Sequence, residues 1–398
     1  EKFWQPIKPV ISNLKIRGSW GLVGNDATNA GRFAYMEDLV LGGSDSYTTG
    51  IRQDTYYSGP SWNRYFNPDL TWEVGEKINL GLDLQLFNDF NLTFDIFREK
   101  RRDIFMTREN SIPEIVGTGE TKITSNNGEM ENKGLDLAID YNKQITKDFF
   151  LSFKSTLTFA RNKVLKMDEP PYFEYPGLSV GHPLGTYWGY VADGLFPDQE
   201  TIDNSPRQDL GYTPQPGDIK YVNQPNAKGE YDNVINSNDR VAIGHPYDPE
   251  LVYGFGPSMK WKNWDFSFFF QGVARTSFMM YGMHPFGTTS IKNMLQFVAD
   301  DHWSVDNPNP NAAYPRLTKD SNGNNDQYST YWLRNAAFLK LKNAEIGYTY
   351  KGMRFYLSGV NLLTFSPFKH WDPEMGGGNG LYYPTQRVFN IGFQMTIQ

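Results

Sequence analysis

The segment Ile78–Phe87 reads I-N-L-G-L-D-L-Q-L-F, with an apolar side chain at every second position and polar residues or Gly between until its end. A period of two belongs to a β-strand, whose successive side chains point to opposite faces. One face therefore meets an apolar medium and the other a wet one. The pattern returns along the chain and predicts about ten strands. These are Ile11–Val23, Trp72–Phe87, Phe90–Thr107, Gly119–Asn142, Asp148–Asn162, Leu251–Trp261, Trp264–Ala274, Ala337–Tyr350, Met353–Leu363 and Arg387–Ile397. Leu135, Leu137, Ile139 and Tyr141 share one face, as do Leu151, Phe153, Leu157 and Phe159, and Phe389, Ile391, Phe393, Met395 and Ile397. Trp264, Phe266, Phe268 and Phe270 share another, with Phe269 as an apolar exception on the polar side.

The connections alternate in length. Short ones lie at Asn88–Asp89, Lys143–Lys147, Lys262–Asn263 and Lys351–Gly352. Long ones lie at about 24–71, 108–118, 163–250, 275–336 and 364–386, rich in Pro, Gly, Asn and Asp. Asp203–Asn226, Asp306–Pro315 and Ser321–Asp326 read as turns rather than core. Short turns on one side and long loops on the other are the habit of an outer-membrane barrel, with the long loops extracellular and the short turns periplasmic. The expected fold is all-β, an antiparallel transmembrane β-barrel, with the C-terminus in the periplasm. The connection 163–250 is too long for a bare loop and is expected to be folded and functional.

Composition narrows the alternatives. Only 39% of the 398 residues are hydrophobic, yet 16% are aromatic. No run approaches the roughly 18–20 apolar residues of a membrane helix. A barrel reconciles these facts, because only alternate residues face lipid and aromatic girdles mark both interfaces. Net charge is −7 with no basic cluster in the sequence, which argues against nucleic acid as a partner. Cysteine is absent, so disulfides and thiolate metal sites do not arise. Glu1 opens no signal peptide, so a secreted chain is expected to have lost its leader upstream.

Specific segments then resemble signatures of SusC/RagA-like TonB-dependent outer-membrane transporters. In order, they are Leu14–Asn25 (LKIRGSWGLVGN), Asn67–Glu73 (NPDLTWE), Asn79–Asp83 (NLGLD), Gly128–Gly134 (GEMENKG) and Val180–Tyr190 (VGHPLGTYWGY). Pro216–Tyr221 (PGDIKY), Asn238–Gly244 (NDRVAIG), Leu339–Asn343 (LKLKN), Val360–Thr364 (VNLLT) and Asp372–Glu374 (DPE) follow. The resemblance covers the C-terminal half of the family's barrel, which implies about ten C-terminal strands of about 22. It implies a plug and a TonB-contacting segment outside this sequence, and further barrel strands, since ten strands alone would expose unpaired edges to lipid. It also implies active uptake of oligosaccharides or oligopeptides, energised through the TonB complex, under a SusD-like surface lipoprotein that lids the barrel. The loops 163–250 and 275–336 are the candidates for lid contact. A soluble extracellular β-rich carbohydrate-binding module stays open as the alternative, separated from the barrel by whether mid-strand positions such as Leu80, Leu82 and Leu84 stay free of charge.

The sequence departs from the family in two places. The family often carries a calcium-like D-x-N-x-D-G loop before the Asn-Asp-Arg motif. Here Lys228 intrudes and the Asp-Gly pair is gone, leaving Asp232, Asn236 and Asp239 as candidate calcium ligands. A hydrated loop with Asx turns is the competing reading. The family's terminal aromatic is also missing, with Ile397 and Gln398 in its place.

No catalytic set emerges, and the sequence reads as a non-enzyme. His182, His245, His284, His302 and His370 form no H-E-x-x-H or comparable spacing. Gly117–Gly119 and Gly376–Gly378 open no helix after a strand, so neither is a phosphate loop. No nucleophile elbow is present. Glu129 and Glu131 share a strand face and are expected to line the wet lumen or cap strand turns. Loop aromatics are the better binding candidates: Trp62, Tyr187, Trp188, Trp303, Trp332, Trp371 and Tyr382, with Tyr56, Tyr57 and Tyr383 beside them. Their flat faces suit sugar rings or peptide backbones, against a competing role in the interfacial girdle or in loop packing.

The alternation makes one direct prediction. Leu82→Arg, on the lipid side, lowers the yield of folded barrel at a cost of about 2–4 kcal/mol. Asp83→Asn, on the wet side, leaves the yield near wild type. Heat-modifiable gel mobility of membrane-extracted protein reads both, and equal tolerance contradicts the inside–outside assignment.

Overall fold

The computed structural model describes all residues except 1–4, 28–31, 43–45, 109–111, 113–114, 116–122, 170–178, 227, 283–293, 319–321 and 397–398. Its frame is one antiparallel sheet of ten strands. These are β1 (Ile11–Asn25), β2 (Glu73–Leu86), β3 (Phe90–Arg108), β4 (Ile123–Thr146) and β5 (Phe149–Lys166), then β6 (Leu251–Trp261), β7 (Trp264–Ala274), β8 (Phe338–Tyr350), β9 (Met353–Phe365) and β10 (Val388–Met395). Each strand pairs with the next in chain order, so the sheet is an up-and-down meander with β1 and β10 at its edges.

The expected strands are present, and β6 and β7 fall on the expected residues. β5 runs on past Asn162 to Lys166 because it keeps pairing with β4, Lys163 opposite Glu131 and Val164 opposite Met130; the Val164 N–H also donates to the His182 carbonyl and the Gly181 N–H to the Val164 carbonyl. The Phe269 exception sits at a β-bulge, where the register with β8 shifts between Phe269 and Phe270. The expected start of β4 at 119–122 and the Ile397 end of β10 lie outside the described residues.

Register confirms the two faces. Leu82, Phe94, Leu137, Leu157 and Tyr253 are consecutive cross-strand partners on β2 to β6. Leu80, Ile96, Leu135, Phe159 and Leu251 form the adjacent row. Each such pair contributes roughly 0.2–1 kcal/mol to pairing and holds the register. This apolar face is open to the surroundings: Trp20 is 66% and Ile391 88% exposed. A contiguous exposed apolar face of this extent marks contact with lipid or protein. The other face is charged and internally paired. Arg17 on β1 donates to Asp83 at 2.9 Å and to Asp95 at 2.8 Å. Arg354 on β9 bridges Asp265 at 2.6 Å and Glu345 at 2.5 Å. Among the described residues no helix is long and apolar enough to cross a membrane.

The described residues of the long connections 163–250, 275–336 and 364–386 fold together into a body with its own core. Tyr190, Ile219, Tyr221, Ile235, Phe278 and Tyr314 are buried there. The segments read as solvated turns contribute to it. Asn322, Asn324 and Asn325 are fully buried, whereas Ser321 lies outside the described residues. These amides complete hydrogen bonds that a short strand cannot complete alone. The Ile219 N–H donates to Asn325 Oδ1 at 2.9 Å, and Asn324 Nδ2 donates to the Ile219 carbonyl at 2.8 Å. Buried backbone groups need such partners, so an Asn-rich turn is drawn inward. Asp218, also fully buried, accepts from Arg316 Nε at 2.7 Å, Asn322 Nδ2 at 3.0 Å and Asn325 Nδ2 at 2.8 Å. That hub ties the first long loop to the second. At Gly217, φ is +88° and Trp303 lies where a Cβ would stand, so only Gly fits.

The third loop is pinned to the wall by a buried cation. Lys340 of β8 has a fully buried side chain and donates to Asp372 at 2.5 Å and Glu374 at 2.6 Å. Burial pushes both carboxyls up, but the hydrogen bonds from Lys340, joined by Thr385 for Asp372 and Lys342 for Glu374, outweigh it and hold both below their ordinary values. Lys340→Ala is expected to cost about 2–3 kcal/mol. That is less than a fully buried pair, because the carboxylates remain about one-fifth exposed. Faster amide exchange across 372–385 reads the loss, and unchanged exchange refutes the pin. Since both carboxyl values are depressed, their contribution is complete above the ordinary values of 3.8 and 4.5 and is lost as pH falls below them. The loop is expected to stay docked from pH 5 to 7 and to loosen in stronger acid.

Candidate functional site

The loop body carries a cleft lined by tyrosines. Tyr187 comes from a short strand, Tyr187–Gly189, paired with Val241–Ile243. Tyr247 follows in the same loop. Tyr281 extends from Ser277–Met279, which pairs with Leu333–Asn335, and Tyr328 stands beside the Tyr190–Ser329 bridge. Tyr382 comes from the third loop. With Met279, Met375, Gly376 and Gly377, the five tyrosines line a cavity of about 280 Å³. A second cavity of about 210 Å³ shares Tyr281 and Tyr328 and adds Asn325, Asp326, Gln327 and Trp332. All three of these long loops therefore contribute to the first cavity, and Tyr281 and Tyr328 stand between it and the second.

Backbone contacts hold the parts together. The Tyr281 N–H donates to the Gly378 carbonyl at 3.1 Å, and the Gly378 N–H to the Met279 carbonyl at 2.9 Å. Gly377 presses on the Met279 backbone where a Cβ has no room. Tyr190 N–H donates to the Tyr328 carbonyl at 2.9 Å. Burial, reinforced by the neighbouring Tyr247 and Tyr328 hydroxyls, pushes the Tyr187 phenol up to about 12. Its hydrogen bond with Tyr382, and then that neighbour's charge, raises Tyr281. The cleft therefore offers neutral aromatic faces with hydroxyl tips, plus amide and carboxylate groups at one end. Its described lining residues are aromatic, amide, Met and Gly with one carboxylate, Asp326.

The structure brings together only part of the expected set. Tyr187 and Tyr382 line the first cavity and Trp332 the second. Trp332 is only 5% exposed, with Nε1 donating to the Asn325 carbonyl at 2.7 Å, so most of its ring is core. Trp303, 7% exposed, packs inside the same core. Trp371 supports the cleft from behind: its ring packs on Phe278 and Phe368, and its Nε1 donates to the Gly376 carbonyl at 2.9 Å. Trp188 lies elsewhere, edge-on to His182 at 4.8 Å. Trp62 stacks on Tyr65 at 5.5 Å in the loop at about 24–71, which is not one of the cleft-forming loops. Tyr247, Tyr281 and Tyr328 escaped the sequence reading; each stands alone beside Pro, Gly or Ser, and only folding clusters them.

The expected calcium ligands are engaged by backbone donors. Asp239 Oδ2 accepts from the Asn236 N–H at 2.8 Å and its Oδ1 from the Gln224 N–H at 2.6 Å. Asn236 Oδ1 accepts from the Asn238 N–H at 2.9 Å, and Asp232 Oδ1 from the Val234 N–H at 3.0 Å. Asn236 and Asp239 form a capping box on a single turn of 3₁₀-helix, and Asp232 makes a separate Asx turn.

The Glu129–Glu131 expectation is corrected. Glu131 has the same strand parity as Leu135 and Leu137, so it lies on the outer apolar face beyond the last apolar row, not in the lumen. It accepts from Arg98 at 2.6 Å and pairs with Lys133 at 2.7 Å, while Glu129 pairs with Lys100 at 2.9 Å.

Comparison with known proteins follows the same lines. A family model described as "TonB dependent receptor-like, beta-barrel" matches residues 12–362. TonB-dependent receptor P26 of Formosa agariphila is 28% identical over 97% of this chain and 40% of its own length. TonB-dependent receptor SusC of Bacteroides thetaiotaomicron is 28% identical over 97% of this chain and 38% of its own. The chain thus spans about two-fifths of the length of these relatives. Among solved structures, the RagAB peptide transporter superposes with a TM-score of 0.71 at 22% identity, over 97% of this chain and 41% of that one, a likeness of fold.

The cleft makes a graded prediction. Tyr187→Ala and Tyr281→Ala each weaken ligand binding about tenfold, the loss typical of a buried aromatic anchor. Trp188→Ala and Trp62→Ala change it less than twofold. Calorimetric titration with neutral oligosaccharides and oligopeptides reads the contrast. Because Tyr187 and Tyr281 are raised, these two phenols contribute no pH dependence between pH 6 and 9.

Proposed function

The chain belongs to the TonB dependent receptor-like β-barrel family, whose members are outer-membrane β-barrel proteins, and from that premise we propose that it forms the C-terminal wall and loops of an importer for oligosaccharides or oligopeptides. Its long loops then face outward and its short turns face the periplasm. The observation that carries the reading is the union of a two-faced wall with an aromatic cleft made by three of its loops. The wall presents apolar rows to lipid outside and charged, paired side chains to water inside. The cleft displays tyrosines, which give large, rigid contact area with a polar tip. Uncharged oligomers with alternating flat and hydroxylated or amide surfaces suit it. Oligopeptides have further support in the fold shared with the RagAB peptide transporter.

Uptake in this reading draws on parts outside this sequence: a plug, the remaining strands and a TonB-contacting segment. A SusD-like surface lipoprotein covers the loops at 163–250 and 275–336. Its closure is a two-state equilibrium shifted by substrate held between lid and cleft. The residues described here bind and orient, while the energy comes through TonB.

Uptake of labelled neutral oligosaccharides and oligopeptides by cells expressing the intact polypeptide tests this. The double variant Tyr187→Ala/Tyr281→Ala is expected to lose at least about tenfold in uptake at low substrate, with unchanged barrel abundance. Wild-type uptake by the double variant removes the cleft from the account. Sustained product release by purified protein replaces transport with an enzyme. A monodisperse species in plain buffer without detergent favours the soluble carbohydrate-binding module.

A further inference from the structure

Where the outer apolar face ends, charge begins. The last apolar row on β3 to β5 is Ile96, Leu135 and Phe159. Two residues further toward the long loops, the same face carries Arg98, Lys133 and Arg161 in register. The next row is Lys100, Glu131 and Lys163. Side-chain direction repeats every two residues, so these groups point outward like the leucines below them. Arg98, Lys133 and Arg161 have side chains 50%, 59% and 55% exposed. Acidic partners are fewer than the cations. Glu131 serves both Arg98 and Lys133. Glu250 is shared by Arg161 at 3.1 Å and Arg275 at 2.7 Å. Lys163 has no carboxylate partner among the described residues.

A niche of about 590 Å³ opens at this boundary. Ile96, Leu135 and Phe159 line its apolar end, and Lys133, Arg161 and Lys163 its charged end together with one carboxylate, Glu131, which is already paired with Lys133 and Arg98. Gly181 and Pro183 border it from the loop side, held to β5 by the Val164 hydrogen bonds and by the Leu184 N–H on Asn162 Oδ1 at 2.6 Å.

We propose that this niche holds a phosphate-bearing lipid of the surrounding outer leaflet. An acyl chain lies along Ile96, Leu135 and Phe159, and the headgroup phosphate sits on Lys133, Arg161 and Lys163, with Arg98 flanking Lys133 in the same row. The order of the rows matches the order of an anionic amphiphile from tail to head. Guanidinium forks suit phosphate oxygens, and the long stems keep the charges at headgroup level. Basic groups near a membrane surface each add to the attraction of anionic lipid. The sharing of Glu131 and Glu250 leaves cationic capacity for a phosphate. The proposal rests on the membrane reading and orientation given above.

The test uses the intact polypeptide in nanodiscs and native mass spectrometry. The probes are phosphorylated lipid A, phosphatase-treated lipid A and inorganic phosphate. Phosphorylated lipid A is expected to be retained at least about tenfold more tightly than the dephosphorylated form. Arg98→Gln/Lys133→Gln/Arg161→Gln removes that preference, whereas Lys351→Gln, at the opposite rim, keeps it. Glu131→Gln, which frees two cations, strengthens retention severalfold. Equal retention of the two lipid forms overturns the proposal, as does full displacement by millimolar inorganic phosphate, which marks a small-anion site. If the triple variant does not fold, Glu131→Gln decides, and unchanged retention counts against the lipid. Lys228→Cys in the long loop separates this from the orientation, because the wild-type chain has no cysteine. Labelling in whole cells by an impermeant maleimide without lipid selectivity rejects only the niche. Absence of labelling rejects the orientation, and the outer-leaflet lipid with it.

Discussion

The structure depends on one constraint: a strand facing lipid has no water to satisfy its N–H and C=O groups, so the neighbouring strand must do so. The unbroken pairing from β1 to β10 meets that need along the sheet. Once the ladder is in place, side-chain alternation follows without further choice. Leucine rows face outward, and pairs such as Arg17 with Asp83 and Asp95 face inward. A one-residue slip on any strand would carry its whole apolar set to the wet side, so each cross-strand row fixes its neighbours.

The wall also explains why large loops are tolerated. β5 and β6 are adjacent although a loop of more than eighty residues separates them. The ladder holds the loop ends, and loop-closure entropy grows only slowly with length. What the loops lack is the support of a sheet, and they replace it with polar hubs. Asp218 and the Asn322, Asn324 and Asn325 side chains link the first two loops. Lys340 binds the third to the wall. The tyrosine cleft forms where these loops meet, so its geometry is secondary to the hubs and, through them, to the ladder.

How far the sequence was legible follows the same division. Strand residues repeat a local period, and β6 and β7 were found to the residue. The loop body has no period to read. An Asn-rich run such as 322–325 has the composition of a solvated turn and becomes core only because Ile219 needs partners brought from about a hundred residues away. Trp303 and Trp332, the obvious binding candidates, are consumed mostly by packing. Tyr281 and Tyr328, isolated in the sequence, become neighbours through pairing of distant short strands. Glu131 was placed on the wet side because charge suggests water, whereas strand parity puts it at the outer rim among cations. Composition predicts the medium a segment prefers, and register decides which medium it meets.

The two-faced wall in lipid is the central claim, and β2 offers its most direct test. Single cysteines carrying spin labels are placed in turn at positions 78 to 85 of the intact polypeptide in bilayers. Oxygen, which concentrates in lipid, and a water-soluble nickel chelate then report the surroundings of each label. The account predicts a strict alternation, with oxygen relaxing labels at Ile78, Leu80, Leu82 and Leu84 and the chelate relaxing those at Asn79, Gly81, Asp83 and Gln85. Uniform access of the chelate to all eight positions would contradict it.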